Sequence, residues 1–233
     1  MGNNIELNNM QKTIKKLALM AVGAALMLSA CEKEKEEFAW VDLGLPSGLL
    51  WANCNLGAGS PEEYGNYYAW GEIEPKEVYS QRSYVHSYGE AHGFTKYCYS
   101  ATHGYDGFTD TLTLLTPSDD AATMLLGDGA RMPTKEEWDE LLNECDSRWD
   151  TQNGVKGRRF TGPNGNRLFL PAAGERWDDT LTYRNSVGRY WSASLWMDYP
   201  NRAWALDFDF LSRHMYYYPR DVGLSVRAVR EAR

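Results

Sequence analysis

The sequence predicts an α+β fold from residue 38 to residue 233, with a twisted antiparallel sheet, about two short helices and long loops. Glycine and proline recur every few residues between Gly44 and Gly71, which is too often for long helices. Helix-start signals lie in the middle of the domain, and segments with the composition of short strands follow them. Helices first and strands later are typical of the α+β class.

The clearest helix is predicted from about residue 135 to residue 145. Thr134 lies where a cap is needed, and Glu137, three residues later, completes a capping box. Apolar side chains then recur at helical spacing on one face, namely Trp138, Leu141, Leu142 and Cys145. A cysteine in this stripe is predicted to belong to the core.

A second helix is predicted to start near Ser118, because Asp119 and Asp120 complement the dipole of a helix N-terminus. A very short turn is predicted at residues 60–63. Four later segments are predicted as strands: 167–170, 190–194, 204–210 and 225–229. In the third of these, aromatic and aliphatic residues alternate with Ala205, Asp207 and Asp209, so one face should be buried and the other wet.

Residues 1–30 have the features of a secretory signal peptide. Three lysines precede an apolar stretch of twelve residues, which is well short of the roughly 20 needed to span a bilayer. The stretch ends in Leu-Ser-Ala-Cys, a sequence typical of bacterial lipoprotein processing. This predicts Cys31 as the first residue of the mature protein and the site of lipid attachment. The alternative is an ordinary cleaved signal followed by an unrelated cysteine.

Residues 31–37 are predicted to be the lipidated cysteine and a charged tether, because every residue from 32 to 37 is Glu or Lys and none can join a core. The acidic run resembles the export signals of some Bacteroidota lipoproteins, and a plain linker is the alternative. We therefore expect a lipid-anchored protein of the outer membrane, exposed at the cell surface or facing the periplasm.

The charge of the mature chain argues against nucleic acid as a partner. Residues 1–30 contain three lysines and one glutamate, so 21 basic and 31 acidic side chains remain. A phosphate-binding surface needs clustered lysine and arginine, whereas the basic residues here are scattered among acids. The partners expected are the membrane, through the N-terminal lipid, and a glycan or a surface protein.

Three cysteines remain after Cys31. An oxidising compartment allows one disulfide among Cys54, Cys98 and Cys145, with one thiol left over, and no pair has a zinc-binding spacing. At least one of the three is expected to be simply buried.

Six blocks of the chain resemble, in order, the Fibrobacter succinogenes major paralogous (FISUMP) domain. They are VDLGLPSGLLWAN at 41–53, YAWGE at 68–72, RMPTKEEW at 131–138, FLPAAG at 169–174, YWSAS at 190–194 and SVR at 225–227. The resemblance implies a C-type-lectin-like fold, shared with formylglycine-generating enzymes, and an extracytoplasmic or surface lipoprotein. It implies no catalytic residues. No cysteine follows Cys145 and no Glu-Pro-Asn loop is present, so copper chemistry and the usual calcium-dependent sugar site are disfavoured.

The segment from Tyr64 to Phe108 holds nine of the fifteen tyrosines and is the predicted ligand surface. Aromatic rings suit sugar rings because they offer apolar area with a polar tip. The candidate binding residues are Tyr79, Tyr84, Tyr88, Tyr97, Tyr99 and Tyr105. The alternative is that these rings hold long loops over a small core, as we expect of Tyr67, Tyr68 and Trp70.

Two other clusters are weaker candidates for chemistry. His86, His92 and His103 lie in the same segment, but their spacing matches no metal motif, and independent histidines are the favoured interpretation. Asp207 and Asp209 could act as paired carboxylates, although a wet strand face already accounts for them. No metal, cofactor or catalytic residue is predicted.

The sequence as a whole favours a non-catalytic binding or adhesion module. A glycan-active enzyme on the same scaffold and a structural component of a surface assembly are the alternatives.

We expect Cys31→Ser to release the protein from the membrane fraction, because the substitution removes the acyl attachment point. Cell fractionation and incorporation of labelled fatty acid would measure this. Cys54→Ser is the matched control and should remain membrane-bound. A Cys31→Ser protein that stayed with the membrane would contradict the assignment.

Overall fold

Short antiparallel strands dominate the architecture, which a computed structural model describes for residues 38–88 and 93–232. The strands are β1 (Trp40–Asp42), β2 (Leu50–Ala52), β3 (Asp146–Gln152), β4 (Val155–Thr161), β5 (Arg167–Pro171), β6 (Glu175–Trp177), β7 (Thr180–Thr182), β8 (Gly188–Leu195), β9 (Arg202–Phe208), β10 (Arg213–Pro219) and β11 (Val229–Arg230). The predicted signal peptide at 1–30, the Cys31 lipid site, the tether at 31–37 and His92 lie outside the described residues.

Two α-helices lie between β2 and β3: α1 (Ala121–Leu126) and α2 (Lys135–Glu144). Single 3₁₀ turns occur at Gln81–Ser83, Tyr105–Gly107 and Pro117–Asp119. Within residues 38–88 and 93–232, no helix combines the length and the apolar character needed to cross a membrane.

The strands form four small sheets with the orders β1-β2-β11, β3-β4-β5, β6-β7 and β10-β9-β8, and every pairing within them is antiparallel. Helix α2 packs against β8, β9 and β10. The described residues belong to one compact unit. The α+β class, with antiparallel sheets, two helices and long loops, is confirmed.

Helix α2 follows its sequence prediction closely. The Thr134 hydroxyl accepts the N–H of Glu137 at 3.3 Å, and the Glu137 carboxylate accepts the N–H of Thr134 at 2.8 Å, which completes the capping box. The helix buries Trp138 and Leu141, and Cys145 caps its C-terminal end.

Helix α1 begins later than predicted. Pro117–Asp119 forms a 3₁₀ turn, and the cap is Asp120, whose carboxylate accepts the N–H of Thr123 at 3.0 Å and that of Met132 at 2.8 Å. The expected start near Ser118 is therefore wrong, because the residue that satisfies the free amides of the first turn is the second aspartate of the pair.

Two predicted strands are shorter than expected. Strand β9 ends at Phe208, because the Asp209 carboxylate accepts the N–H groups of Leu211 and Ser212 at 2.7 Å and turns the chain. This leaves Phe210 exposed. Of the predicted strand 225–229 only its last residue enters β11, since Ser225 makes an isolated bridge to Tyr190 instead.

Four fully buried tryptophans form the centre of the core: Trp51, Trp70, Trp138 and Trp191. Three of their indole N–H groups donate to backbone carbonyls. Trp70 donates to Ser192 and Trp138 to Trp191, while Trp191 itself donates to Tyr68. These bonds hold β8 against α2 and against the loop between β2 and α1, here called the early loop. They also satisfy N–H groups that would be costly to bury unpaired.

The three described cysteines are all buried, and no disulfide joins any two of them. Burial raises the pKa of the Cys145 thiol to about 11. This cysteine is a core residue, as its place in the α2 stripe predicts.

The side chain of Arg220, which is only 1% exposed, holds the early loop to the segment that follows β10, here called the C-terminal segment. Its guanidinium donates to the Tyr84 hydroxyl at 2.9 Å and to the carbonyls of Lys96, Tyr97 and Pro200 at 3.0, 3.2 and 2.8 Å. The aromatic rings around it are those of Trp70, Tyr84, Phe94 and Tyr97.

We expect Arg220→Met to lower the free energy of unfolding by at least about 3 kcal/mol, because it leaves three buried carbonyls without a donor. Denaturant unfolding would measure the loss. Arg213→Met, which removes an exposed guanidinium with one 3.5 Å contact, should change the stability by no more than about 0.5 kcal/mol. Similar losses in the two variants would show that Arg220 has no special role.

Candidate functional site

Half of the tyrosines predicted as ligand-binding residues lie inside the protein. Tyr79, Tyr84 and Tyr97 are at most 2% exposed. Their hydroxyls donate to the Tyr67 carbonyl at 2.5 Å, the Trp70 carbonyl at 2.6 Å and the Asp119 carboxylate at 2.6 Å, respectively. They cannot present a surface to a ligand, and for these three the alternative, rings that hold the loop, is correct.

The other three candidates are exposed. Tyr88 and Tyr105 stack on each other, with ring centroids 4.2 Å apart and planes 19° apart. Tyr99 is 37% exposed, and burial and then the charge of Asp198 raise the pKa of its hydroxyl. A further aromatic group, which the sequence interpretation did not single out, lies in the loop after β8 and in β10.

That group surrounds a cleft of about 370 Å³, here called the Trp196 cleft, lined by Trp196, Tyr199, Asn201, Arg202 and Tyr217. The first three lie in the loop between β8 and β9, Arg202 begins β9, and Tyr217 lies in β10 opposite Trp204.

A tight turn shapes the loop. The Arg202 N–H donates to the Tyr199 carbonyl at 3.1 Å across Pro200 and Asn201, and proline at the second position of a turn presets the backbone. Arg220 fixes this turn from within, because its backbone N–H donates to the Asn201 carbonyl at 3.0 Å and its guanidinium donates to the Pro200 carbonyl.

Aromatic stacking forms one wall of the Trp196 cleft. Trp196 and Tyr217 lie face to face, with centroids 3.7 Å apart and planes 7° apart. Tyr199 lies 5.5 Å from Trp196 and is 53% exposed. The Tyr199 ring also lies near the ring of His103, with centroids 6.4 Å apart.

Two polar groups in the Trp196 cleft lack partners among the described residues. The side-chain Oδ1 of Asn201 is enclosed and accepts no hydrogen bond. The guanidinium of Arg202 lies with its carbon 5.2 Å from the centroid of the Tyr217 ring and has no carboxylate oxygen within 4.0 Å. Buried polar groups usually find a partner inside the protein.

A second cavity of about 450 Å³ lies beside His86, with Glu72, Ile73, Pro75 and Asp119 among its walls. Two of its carboxylates are already engaged. Glu72 accepts from Lys76 at 2.8 Å, and Asp119 accepts from Lys96 at 2.7 Å and from Tyr97. The cavity is larger than the Trp196 cleft, but its lining contains no tyrosine, tryptophan or phenylalanine ring.

The two described histidines of the predicted cluster, His86 and His103, lie in different surroundings. His86 is buried and donates from Nε2 to the Gly71 carbonyl at 3.0 Å, whereas His103 lies on the aromatic surface beside Tyr199. Within the described ranges, no group of three His, Cys, Asp or Glu side chains is arranged to hold a metal ion.

The paired carboxylates of β9 are engaged separately. Asp207 accepts from Arg189 at 2.9 Å and from the Tyr218 hydroxyl. Asp209 caps the turn after β9, and the N–H of Ser212 lowers the pKa of its carboxyl group. Both side chains therefore have structural partners.

Comparison with known proteins identifies no relative: no family model, curated protein or solved structure matches this chain.

Sequence reasoning missed the Trp196 cleft because it followed the density of tyrosines before residue 108. The signal was nevertheless present in the run Trp196 to Arg202, with two aromatic residues, Pro200 and Asn201, and in the consecutive tyrosines 216–218. The sequence does not reveal the register of β9 and β10, which brings these two segments together.

Burial, together with the nearby charge of Arg220, lowers the pKa of His86 to about 4. The unfolded chain, with a histidine pKa of about 6.5, therefore binds more protons between these values. We expect the contribution of His86 to stability to be complete above pH 6.5 and to fall by up to about 3 kcal/mol as the pH drops to 4.

Unfolding measured across this pH range in wild type and in His86→Gln would isolate the contribution, because other acidic groups titrate in both proteins. The difference in stability between the two proteins should narrow as the pH falls. His103→Gln is the control and should follow the wild type. Parallel curves for wild type and His86→Gln would rule out this effect.

Proposed function

We propose that the protein is a non-catalytic binding or adhesion module that takes a glycan at the Trp196 cleft. The observation that carries this proposal is the combination of stacked rings with an unpartnered amide oxygen in one cleft. A sugar ring has an apolar C–H face and a rim of hydroxyls. The aromatic side chains suit the first, and Asn201 suits the second.

A buried acceptor without a partner costs about 1–3 kcal/mol. The proposal requires the Asn201 amide to turn towards the cleft when a sugar binds, so that its oxygen accepts a hydroxyl and gains the partner that it lacks in the free protein. Tyr199 offers the open ring face, while Trp196 and Tyr217 already cover each other.

Catalysis is not part of this proposal because the candidate carboxylates, Asp207 and Asp209, are both engaged by structural partners. Glycoside hydrolysis uses two acidic groups that flank one bond. Asp207 is held by Arg189 and Tyr218, and Asp209 by its own turn, so the enzyme alternative lacks support at the residues that suggested it.

The assembly alternative needs a sheet edge open to pairing. Strands β3 and β10 lie at edges of their sheets. Strand β3 carries Asp146, Arg148 and Asp150, and charges on an edge strand oppose pairing with another chain. The aromatic cleft therefore remains the better-supported feature.

The same proposal places the module in the FISUMP family, on a C-type-lectin-like fold, as a lipoprotein of the outer membrane exposed at the cell surface or facing the periplasm. Its support is the role of the resembling blocks. Four of them each supply one of the fully buried tryptophans, and a fifth supplies Arg227, which is buried as well. The Leu-Ser-Ala-Cys sequence before the charged tether supports the anchor.

We expect Tyr199→Ala to weaken glycan binding about tenfold, because exposed aromatic residues at the centre of a site dominate binding energy. A glycan array would identify ligands of the purified protein, and titration calorimetry would give the affinities. Trp177→Ala, at 50% exposure against 53% for Tyr199, is the matched control outside the cleft.

The control variant should bind as the wild type does, and both variants should unfold at the wild-type temperature. Binding unaffected by Tyr199→Ala, or reduced equally by Trp177→Ala, would exclude the Trp196 cleft as the site. Hydrolysis of the arrayed glycans by the wild type would favour the enzyme alternative.

A further inference from the structure

The charges around the Trp196 cleft restrict which sugars fit it. The protein as a whole is acidic, with 32 acidic against 24 basic side chains, so its general field repels anions. Selection of an anionic ligand therefore needs a local, uncompensated cation. Arg202 is such a cation, whereas Arg159 and Arg189 each hold a carboxylate at 2.6 Å.

The position of Arg202 suits a carboxylate. Its guanidinium lies over the Tyr217 ring at 5.2 Å, and a guanidinium held against an aromatic face keeps its planar fork of N–H groups available. Two parallel N–H···O bonds to one carboxylate are the interaction that this fork favours. No described carboxylate occupies it, because none lies within 4.0 Å of its nitrogens.

We propose, resting on the glycan-binding function above, that the Trp196 cleft selects sugar rings that carry a carboxylate, the uronic-acid class. Arg202 binds the carboxylate and determines the selectivity. Tyr199 lies under the ring, and the Asn201 amide bonds to its hydroxyls.

Oligomers of galacturonic, glucuronic and mannuronic acid, each paired with its carboxyl-reduced neutral counterpart, are the probes. Titration calorimetry on the purified protein should show at least one acidic oligomer bound about tenfold more tightly than its neutral partner. The preference should shrink when NaCl rises from about 0.1 to 1 M, because an exposed charge pair is screened.

Arg202→Gln should abolish the preference, because it weakens binding of the acidic oligomer about tenfold more than binding of the neutral one. Arg202→Lys keeps the charge but loses the fork, so it should retain part of the preference. A preference that survives in Arg202→Gln would overturn the role of Arg202. Folding of both variants is checked by thermal unfolding, and the neutral oligomer reports that the cleft is intact.

Two failures remain distinguishable. If the wild type binds neutral and acidic partners equally at a site sensitive to Tyr199→Ala, the selectivity is wrong and the glycan-binding function stands. If it binds no acidic or neutral oligomer and nothing on a glycan array, both are wrong.

Discussion

The buried guanidinium of Arg220 is the constraint on which both the loop and the cleft depend. A cation in a protein interior is tolerated only when its donors are satisfied, and the described partners of Arg220 are a tyrosine hydroxyl and three carbonyls rather than a carboxylate. The early loop must therefore bring Lys96 and Tyr97 to it, and the β8–β9 loop must bring Pro200. The Arg220 side chain thus positions both the backbone at Lys96 and Tyr97 in the tyrosine-rich segment and the turn that carries Tyr199 and Asn201.

The C-terminal segment contains a second buried arginine, Arg227, whose donors are also satisfied without a carboxylate. Arg227 is fully buried and donates to the Asn55 side chain at 2.5 and 3.0 Å and to the carbonyls of Ala52 and Phe169. Between the two arginines the backbone makes single bridges to different neighbours instead of a continuous ladder. The prediction of a strand at 225–229 was therefore wrong for all but its last residue. The side chains of two buried arginines fix this segment, and the local sequence pattern does not reveal such contacts.

The parts of the fold that were predictable are those determined within a few residues. Helix α2 follows from Thr134, Glu137 and an apolar stripe, all inside one window, and β5 follows from a turn and an apolar run. The tyrosines show the opposite case. Nothing near Tyr84 or Tyr97 distinguishes them from Tyr99, because what buries the first two is Arg220, more than 120 residues later in the chain. The Trp196 cleft was missed for the same reason, since Tyr217 reaches Trp196 only through the β9–β10 register.

The aromatic residues of this protein therefore divide by what their surroundings leave unsatisfied. In the tyrosine-rich loop the hydroxyls of Tyr79, Tyr84 and Tyr97 are bonded to the protein itself, so those rings stabilise the fold and have nothing left for a ligand. Some core polar atoms, such as the Trp51 indole nitrogen and the Ser225 hydroxyl, also lack partners among the described residues, but they lie away from any described cavity lining. Asn201 combines an unpartnered atom with a place in a cleft. The proposed glycan site thus depends less on the number of exposed rings than on the coincidence of an exposed ring, Tyr199, with an unpartnered polar atom in the same cleft.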